Sequence, residues 1–168
     1  TKAEKKNNCY IINGQKVWTS RAEFSDLMLL LARTSNKSSE KRTEGLSLFL
    51  INIQKAKDKG LNIKPIRTMI NHATTEIFFD NLEIPLDSLI GEEGKGFNYI
   101  LDGMNAERIL IAAECIGDSR FFIDRSTAYA KDREVFGRPI GQNQGVQFPI
   151  SRAYADTEAA ALVVKKAA

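Results

Sequence analysis

A chain of 168 residues with 43% hydrophobic and 27% charged side chains has an ordinary soluble composition, long enough for one domain or two small ones to bury a sizeable core, which excludes disorder. Its 24 Lys and Arg against 21 Asp and Glu leave a formal charge of +3, spread along the chain with no basic block beyond pairs such as Lys5-Lys6 and Lys165-Lys166, so no nucleic-acid or lipid surface is expected. Two cysteines, Cys9 and Cys115, and one histidine, His72, are too few for a zinc site or a disulfide framework, so no metal is expected and a reducing compartment follows.

From the N-terminal end, Cys9 to Ser20 reads as two β-prone runs around Asn13-Gly14, a pair favoured where both turn residues need positive φ, and the spacing predicts a tight hairpin there. Further strands are expected over Asp26 to Arg33, Leu46 to Ile53, Leu61 to Ile66 and Glu76 to Ile84, each rich in Leu, Ile and Phe. The polar connection Ser35 to Glu44 reads as an exposed loop. After Pro85 and the glycines Gly91, Gly94 and Gly96 the period changes. Those glycines have neither Walker nor Rossmann spacing and read as a flexible entry to a helix. Phe97, Leu101, Met104, Arg108, Ile111 and Cys115 then mark one face of a helix from Gly96 to Asp132, about 50 Å long at the helical rise. Gln144 to Ala168 repeats Phe148, Ala155, Ala159, Leu162 and Val163 at helical spacing, and the chain stops inside that helix without a cap, as an internal segment of a larger protein would. The expected class is α+β. A small antiparallel β domain, barrel or sandwich-like, occupies 1–91, and 92–168 form the first two helices of a truncated up-and-down bundle. No run of about 18 apolar residues and no apolar leader is present, so neither a membrane span nor a signal peptide is expected, and a cytoplasmic or matrix location follows.

Two charged residues interrupt the apolar helix face. Glu107 and Arg108 point about 100° apart, so each needs a partner elsewhere. Either one snorkels to solvent while the other pairs with a neighbouring helix, or Glu107 is a general base whose pKa is raised by a wall of Ile100, Met104, Ile111 and a bound ligand. Arg133 ends the helix, with Phe136, Gly137 and Gln144 following. It either complements the helix macrodipole or clamps a phosphate through its fork of donors. Trp18, the only tryptophan, is either a core residue or an indole for stacking, with Ser20 two positions on and on the same strand face. His72, in the polar turn Asn71 to Thr75, has no Asp, Cys or Ser arrangement around it and reads as a loop residue.

Taken in order, Tyr10 to Ser20, Phe79 to Pro85, Leu89-Ile90-Gly91 with Gly94 and Gly96-Phe97, Leu101 to Arg108, and Arg133 to Gly137 with Gln144 resemble the flavin-dependent acyl-CoA dehydrogenase family along nearly the whole chain. The resemblance implies the family's middle β domain and the start of its C-terminal helical domain. It implies FAD, with Trp18, Thr19 and Ser20 against the flavin ring and Arg133, Phe136 and Gln144 at the pyrophosphate and adenosine part of a neighbouring subunit's cofactor. It implies an acyl-CoA pocket lined by Met104, Asn105 and Arg108. Glu107 matches the position where one subset of the family, isovaleryl- and long-chain-type enzymes included, places its base; most members carry that base in a later helical segment. Asn105 departs from relatives that have an acidic residue there. The implied reaction is α,β-dehydrogenation of an acyl-CoA thioester: a base takes the α-proton and hydride passes from the β-carbon to flavin N5. The isolated piece is expected to be inactive. Implied partners are an electron-transfer flavoprotein and further copies of the chain, as a homodimer or homotetramer, in the cytoplasm or, in a eukaryote, the mitochondrial or peroxisomal matrix. Two alternatives stay open: a flavin oxidase or monooxygenase on the same fold, and a non-catalytic interaction module.

Overall fold

The computed structural model describes residues 1–35 and 41–168. It consists of two compact units, Thr1–Asp102 and Gly103–Ala168. The part of the expected polar loop at 36–40 lies outside the described residues.

In the first unit, β1 (Lys2–Lys6), β2 (Cys9–Ser20), β3 (Leu27–Arg33), β4 (Leu46–Asn52), β5 (Leu61–Pro65), β6 (Thr74–Pro85) and β7 (Leu89–Ile90) form a seven-stranded sheet in the order β5-β6-β2-β1-β3-β4-β7. A short helix, α1 (Ile53–Ala56), follows β4, and the Asn52 side chain caps it by accepting from the Lys55 N–H at 3.0 Å. The α+β class is as expected, but the sheet is open and not a closed barrel, and one junction, β1 with β3, is parallel. Alternate residues of the strands supply one cluster that includes Ala3, Tyr10, Ile12, Leu30, Phe49, Ile51, Ile77 and Phe79, all at most 4% exposed. Tyr10 and Phe49 meet edge to face at 4.9 Å between centroids.

The hairpin expected at Asn13-Gly14 does not form. β2 runs straight through the pair because both of its edges are occupied, by β1 over Lys2–Lys6 and by β6 over Thr74–Pro85, and a reversal would give up both ladders. The turn chemistry is spent on a bulge instead. The register with β6 slips between Ile12 and Gly14, Gly14 takes φ 129°, and the Asn13 Oδ1 accepts from the Asn81 N–H at 2.8 Å. The chain reverses earlier, across Asn7-Asn8, joining β2 to the charged strand β1, whose lone buried residue, Ala3, hides it from a hydropathy pattern.

The glycine entry to the long helix, expected to be flexible, is close-packed at Gly91, against the Tyr99 ring, and at Gly96, while a Cβ on Gly94 would meet only the Gly45 Cα, at 3.9 Å. A Cβ on Gly96 would stand 2.4 Å from the Leu48 backbone N and 2.5 Å from the Ser47 carbonyl carbon. The fully buried Ser47 accepts from the Gly94 N–H at 2.8 Å through its hydroxyl, which also bonds the Thr34 hydroxyl at 2.7 Å. The Tyr10 hydroxyl, donating to Glu93 Oε2 at 2.9 Å, fastens the same segment to β2. Burial of the phenol, then the neighbouring Glu93 carboxylate, push the Tyr10 pKa up from 10.0 to about 12. Folding thus favours the protonated phenol. Its contribution to stability is complete below pH 10 and is lost as the pH rises through about 12. Tyr10→Phe is expected to cost about 1 kcal/mol at neutral pH and to flatten the alkaline end of the stability curve, as measured by urea denaturation across pH.

The second unit takes in the long helix from Gly103 onward. Helix α2 (Gly96–Asp132) has the limits expected from its sequence, and α3 (Gln144–Ala167) follows after a two-stranded ribbon of β8 (Glu134–Val135) and β9 (Arg138–Pro139). The helices run antiparallel. Arg120 forms a bidentate pair with Glu158 at 2.9 and 3.1 Å, and a Cβ on Gly141 would meet the Ala130 carbonyl oxygen at 2.8 Å. The rows that meet are not the apolar rows marked by the helical spacing of the sequence. Ser119, Ile123, Thr127 and Ala130 face α3 beside Val146, Ile150 and Thr157, and Ala112 and Ile116 of α2 and Ala161 and Val164 of α3 are further half-buried positions. Ile111, Phe148, Leu162 and Val163 are 50–71% exposed. Periodicity locates an apolar row on a helix; the partner decides which row is covered. Among the described residues no helix is long and apolar enough to cross a membrane, and no three His, Cys, Asp or Glu are placed to hold a metal.

Candidate functional site

The candidate residues fall into three groups, the first in the sheet unit and the other two in the helical unit.

The first group is the end of β2. Between Lys16 and Thr19 the strand takes three steps where β6, from Ile77 to Thr75, takes two, and this second bulge carries Trp18 at φ 63°. A non-glycine residue in the left-handed region costs about 1–2 kcal/mol. The indole is 66% exposed, so it is not the core tryptophan of the ordinary reading. The bulge also breaks the alternation from which Trp18 and Ser20 were placed on one face. Thr19 is half-buried, its carbonyl accepting from the Thr75 hydroxyl at 2.8 Å. Ser20 Oγ lies 3.2 Å from Asn71 Nδ2, and the Arg21 N–H donates to the Ala73 carbonyl at 2.8 Å. The turn read as Asn71 to Thr75 is therefore shorter than its polarity suggests: Thr74 and Thr75 already belong to β6 and are buried. Asn71 is the residue that sequence reasoning passed over. Its signal was its type, since asparagine closes turns through its own side chain.

The second group lies on α2. Met104, Glu107, Arg108, Ile111 and Ala112 line one shallow depression on the helix surface. Asn105 is exposed beside them. Glu107 and Arg108 are both exposed, and among the described residues neither forms an ion pair. Met104 is 38% and Ile111 50% exposed, so of the wall expected around Glu107 these two form an open apolar floor without a roof, and Ile100 does not line it.

The third group is the corner between α2 and α3. Arg133 continues the helical hydrogen bonding through its N–H to the Tyr129 carbonyl at 2.9 Å, and its own carbonyl accepts from the Ile140 N–H at 2.9 Å. The ribbon that follows turns on two residues, Phe136 at φ 55° and Gly137 at φ 77°, with Val135 facing Arg138. Two positive φ angles in a two-residue connection are the hairpin geometry that the sequence had suggested at Asn13-Gly14. Here a phenylalanine takes the first of them, and its ring projects fully into solvent, at 101% of reference exposure. Arg133 and Gln144 are likewise exposed. Arg138 donates to Asn143 Oδ1 at 2.8 Å, and the Gln147 amide donates to the Gly141 carbonyl at 2.7 Å, which stiffens the corner from below.

Comparison with known proteins agrees across both units. Residues 1–82 match the acyl-CoA dehydrogenase middle domain and residues 94–168 the acyl-CoA dehydrogenase C-terminal domain. The cyclohex-1-ene-1-carbonyl-CoA dehydrogenase of Syntrophus aciditrophicus is 31% identical over 99% of this chain and 40% of its own length. Glutaryl-coenzyme A dehydrogenase in complex with glutaryl-CoA superposes with a TM-score of 0.83 at 30% identity, covering 99% of this chain and 43% of that one. PigA with FAD and proline superposes with a TM-score of 0.85 at 29% identity, covering 98% of this chain and 42% of that one. The chain thus spans about two fifths of the length of the proteins it matches. With both domain profiles matched in order and the same fold in these relatives, the chain belongs to the acyl-CoA dehydrogenase family.

Proposed function

We propose that the protein containing this chain is an FAD-dependent acyl-CoA dehydrogenase, with 1–91 acting as its middle β domain and 92–168 as the first two helices of its C-terminal domain. The observation that carries the reading is a pair of aromatic residues, Trp18 and Phe136. Each is held at left-handed φ and each is largely or wholly exposed, so neither ring repays its backbone cost by joining the core. Both stand where the family resemblance puts contacts to FAD.

The donor set suits that cofactor. An indole and a hydroxyl at Trp18, Thr19 and Ser20 offer stacking and polar contact for a ring system, while the exposed Arg133 guanidinium, Phe136 ring and Gln144 amide offer charge, stacking and hydrogen bonds to the pyrophosphate and adenosine part. When bound, FAD supplies the acceptor for the hydride equivalent leaving the β-carbon. The chain's own residues have the other half of the task. The α-proton of a thioester is weakly acidic, and Glu107, as base, must be dry to take it. Met104 and Ile111 provide the apolar floor, and the acyl chain laid over them with the rest of the protein provides the cover. Arg108 and Asn105, on the same surface, contact the acyl-CoA. Arg133 reaches the cofactor of a second copy, giving a homodimer or homotetramer, and an electron-transfer flavoprotein reoxidises the enzyme, in the cytoplasm or in an organelle matrix.

The full-length protein is expected to purify yellow, with FAD, and to bleach when an acyl-CoA is added without oxygen, as followed by flavin absorbance with an artificial acceptor closing the cycle. Colourless protein that takes up no FAD overturns the reading. Peroxide released when the reduced protein meets air assigns it to the oxidases instead.

A further inference from the structure

Asn71 stands at the centre of the loop closing over the end of β2. Its Oδ1 accepts from the Ala73 N–H at 3.1 Å, and its backbone carbonyl accepts from the Thr74 hydroxyl at 3.1 Å and from the Thr68 hydroxyl. The Ala73 bond decides how the amide is turned. With Oδ1 facing a main-chain N–H, the atom that approaches Ser20 Oγ, at 3.2 Å, is Nδ2, which only donates. Ser20 Oγ is therefore an acceptor toward the loop, and its own proton is left for an acceptor on the other side. Among the described residues Oγ makes no second hydrogen bond. The bond from the Arg21 N–H to the Ala73 carbonyl keeps the loop and the strand end in register.

We infer that Asn71 is a positioning residue that fixes Ser20 as a hydrogen-bond donor toward the ring of the bound flavin; the inference rests on the proposed function above. A hydroxyl serves equally as donor or acceptor, and its neighbours choose. An acceptor at position 71 would draw the Ser20 proton inward and turn lone pairs toward the ring. Asn71 does the reverse. A donor held at the ring stabilises the negative charge gained on reduction and so raises the reduction potential.

The test is a cycle of Asn71→Asp and Ser20→Ala in the full-length, FAD-loaded protein, read by the flavin midpoint potential and absorbance spectrum. Asn71→Asp keeps the acceptor for the Ala73 N–H while replacing the donor that faces Ser20. The expected result is a shift of the potential to more negative values, with reduction by substrate slowed about tenfold, the value of one neutral hydrogen bond. In the Ser20→Ala background the same substitution should shift the potential by less than half as much. An equal shift in both backgrounds would show that the added charge acts directly and would overturn the inference, as would no shift in either. Asn71→Ala, which adds no charge, repeats the cycle if the Asp variant does not load. Loss of FAD from both Asn71 variants while Ser20→Ala stays loaded assigns Asn71 to loop folding alone and also overturns it. Wild-type protein that binds no FAD fails the proposed function itself, and this inference with it.

Discussion

Glu107→Gln in the full-length, FAD-loaded protein is expected to lower the rate of flavin bleaching by acyl-CoA by about 10²–10⁴-fold, the usual contribution of a positioned general base. The amide has nearly the shape of the carboxylate and keeps a hydrogen-bonding oxygen, so binding should change little while the ability to take a proton disappears. FAD content and the affinity for acyl-CoA, measured by spectral titration, should stay within a few-fold of wild type. Glu107→Asp should recover part of the rate, because it restores the chemistry at a shorter reach. The exposed floor formed by Met104, Arg108 and Ile111 makes the expectation specific. On the proposed function, a carboxylate on such a floor is dried only when an acyl chain covers it, which would couple proton abstraction to substrate binding. Bleaching at the wild-type rate would place the base on another segment.

The second large effect concerns the junction of sheet and helix. Gly96→Ala should destabilise the protein by about 3 kcal/mol, at the upper end for overpacking, since the new methyl would stand 2.4–2.7 Å from three backbone atoms of Ser47 and Leu48 and no side chain can yield to admit it. The same substitution at Gly117, in the same helix, meets nothing within 4 Å. There the gain in helix propensity is unopposed, and Gly117→Ala should stabilise by up to about 1 kcal/mol. Opposite signs at two glycines of one helix, read by chemical denaturation of the chain, separate close approach from propensity. Equal signs would show that α2 does not seat on β4 through Gly96.

Much of this architecture is legible in the sequence. Four of the expected strands and both long helices lie where composition and period put them, because each satisfies a local condition: branched and aromatic residues in short runs, or apolar residues three and four apart. The charged strand β1 was not legible, since pairing with β2, not hydropathy, is what makes Lys2–Lys6 extended. Asn13-Gly14 has the turn chemistry of a hairpin and is used for a bulge, because a strand hydrogen-bonded on both edges has no freedom to reverse. At the other end of the chain, the two-residue turn with both φ positive is built on Phe136-Gly137, a phenylalanine that no propensity would nominate.

The candidate site divides in the same way. The sequence by itself determined which side chains are available: an indole followed by hydroxyls at Trp18 to Ser20, the Glu107-Arg108 pair inside an apolar row, and the cation, ring and amide of Arg133, Phe136 and Gln144, in an order that marks a family. Only the tertiary structure decided how they are presented. It turned Trp18 outward on a bulge, left Glu107 on an uncovered floor, and brought Asn71 from another loop, 51 positions away, against Ser20. Local sequence encodes local backbone preference and chemical type. Exposure, register and the partner of a polar atom are set by which strand or helix lies alongside, and that is a property of the whole fold.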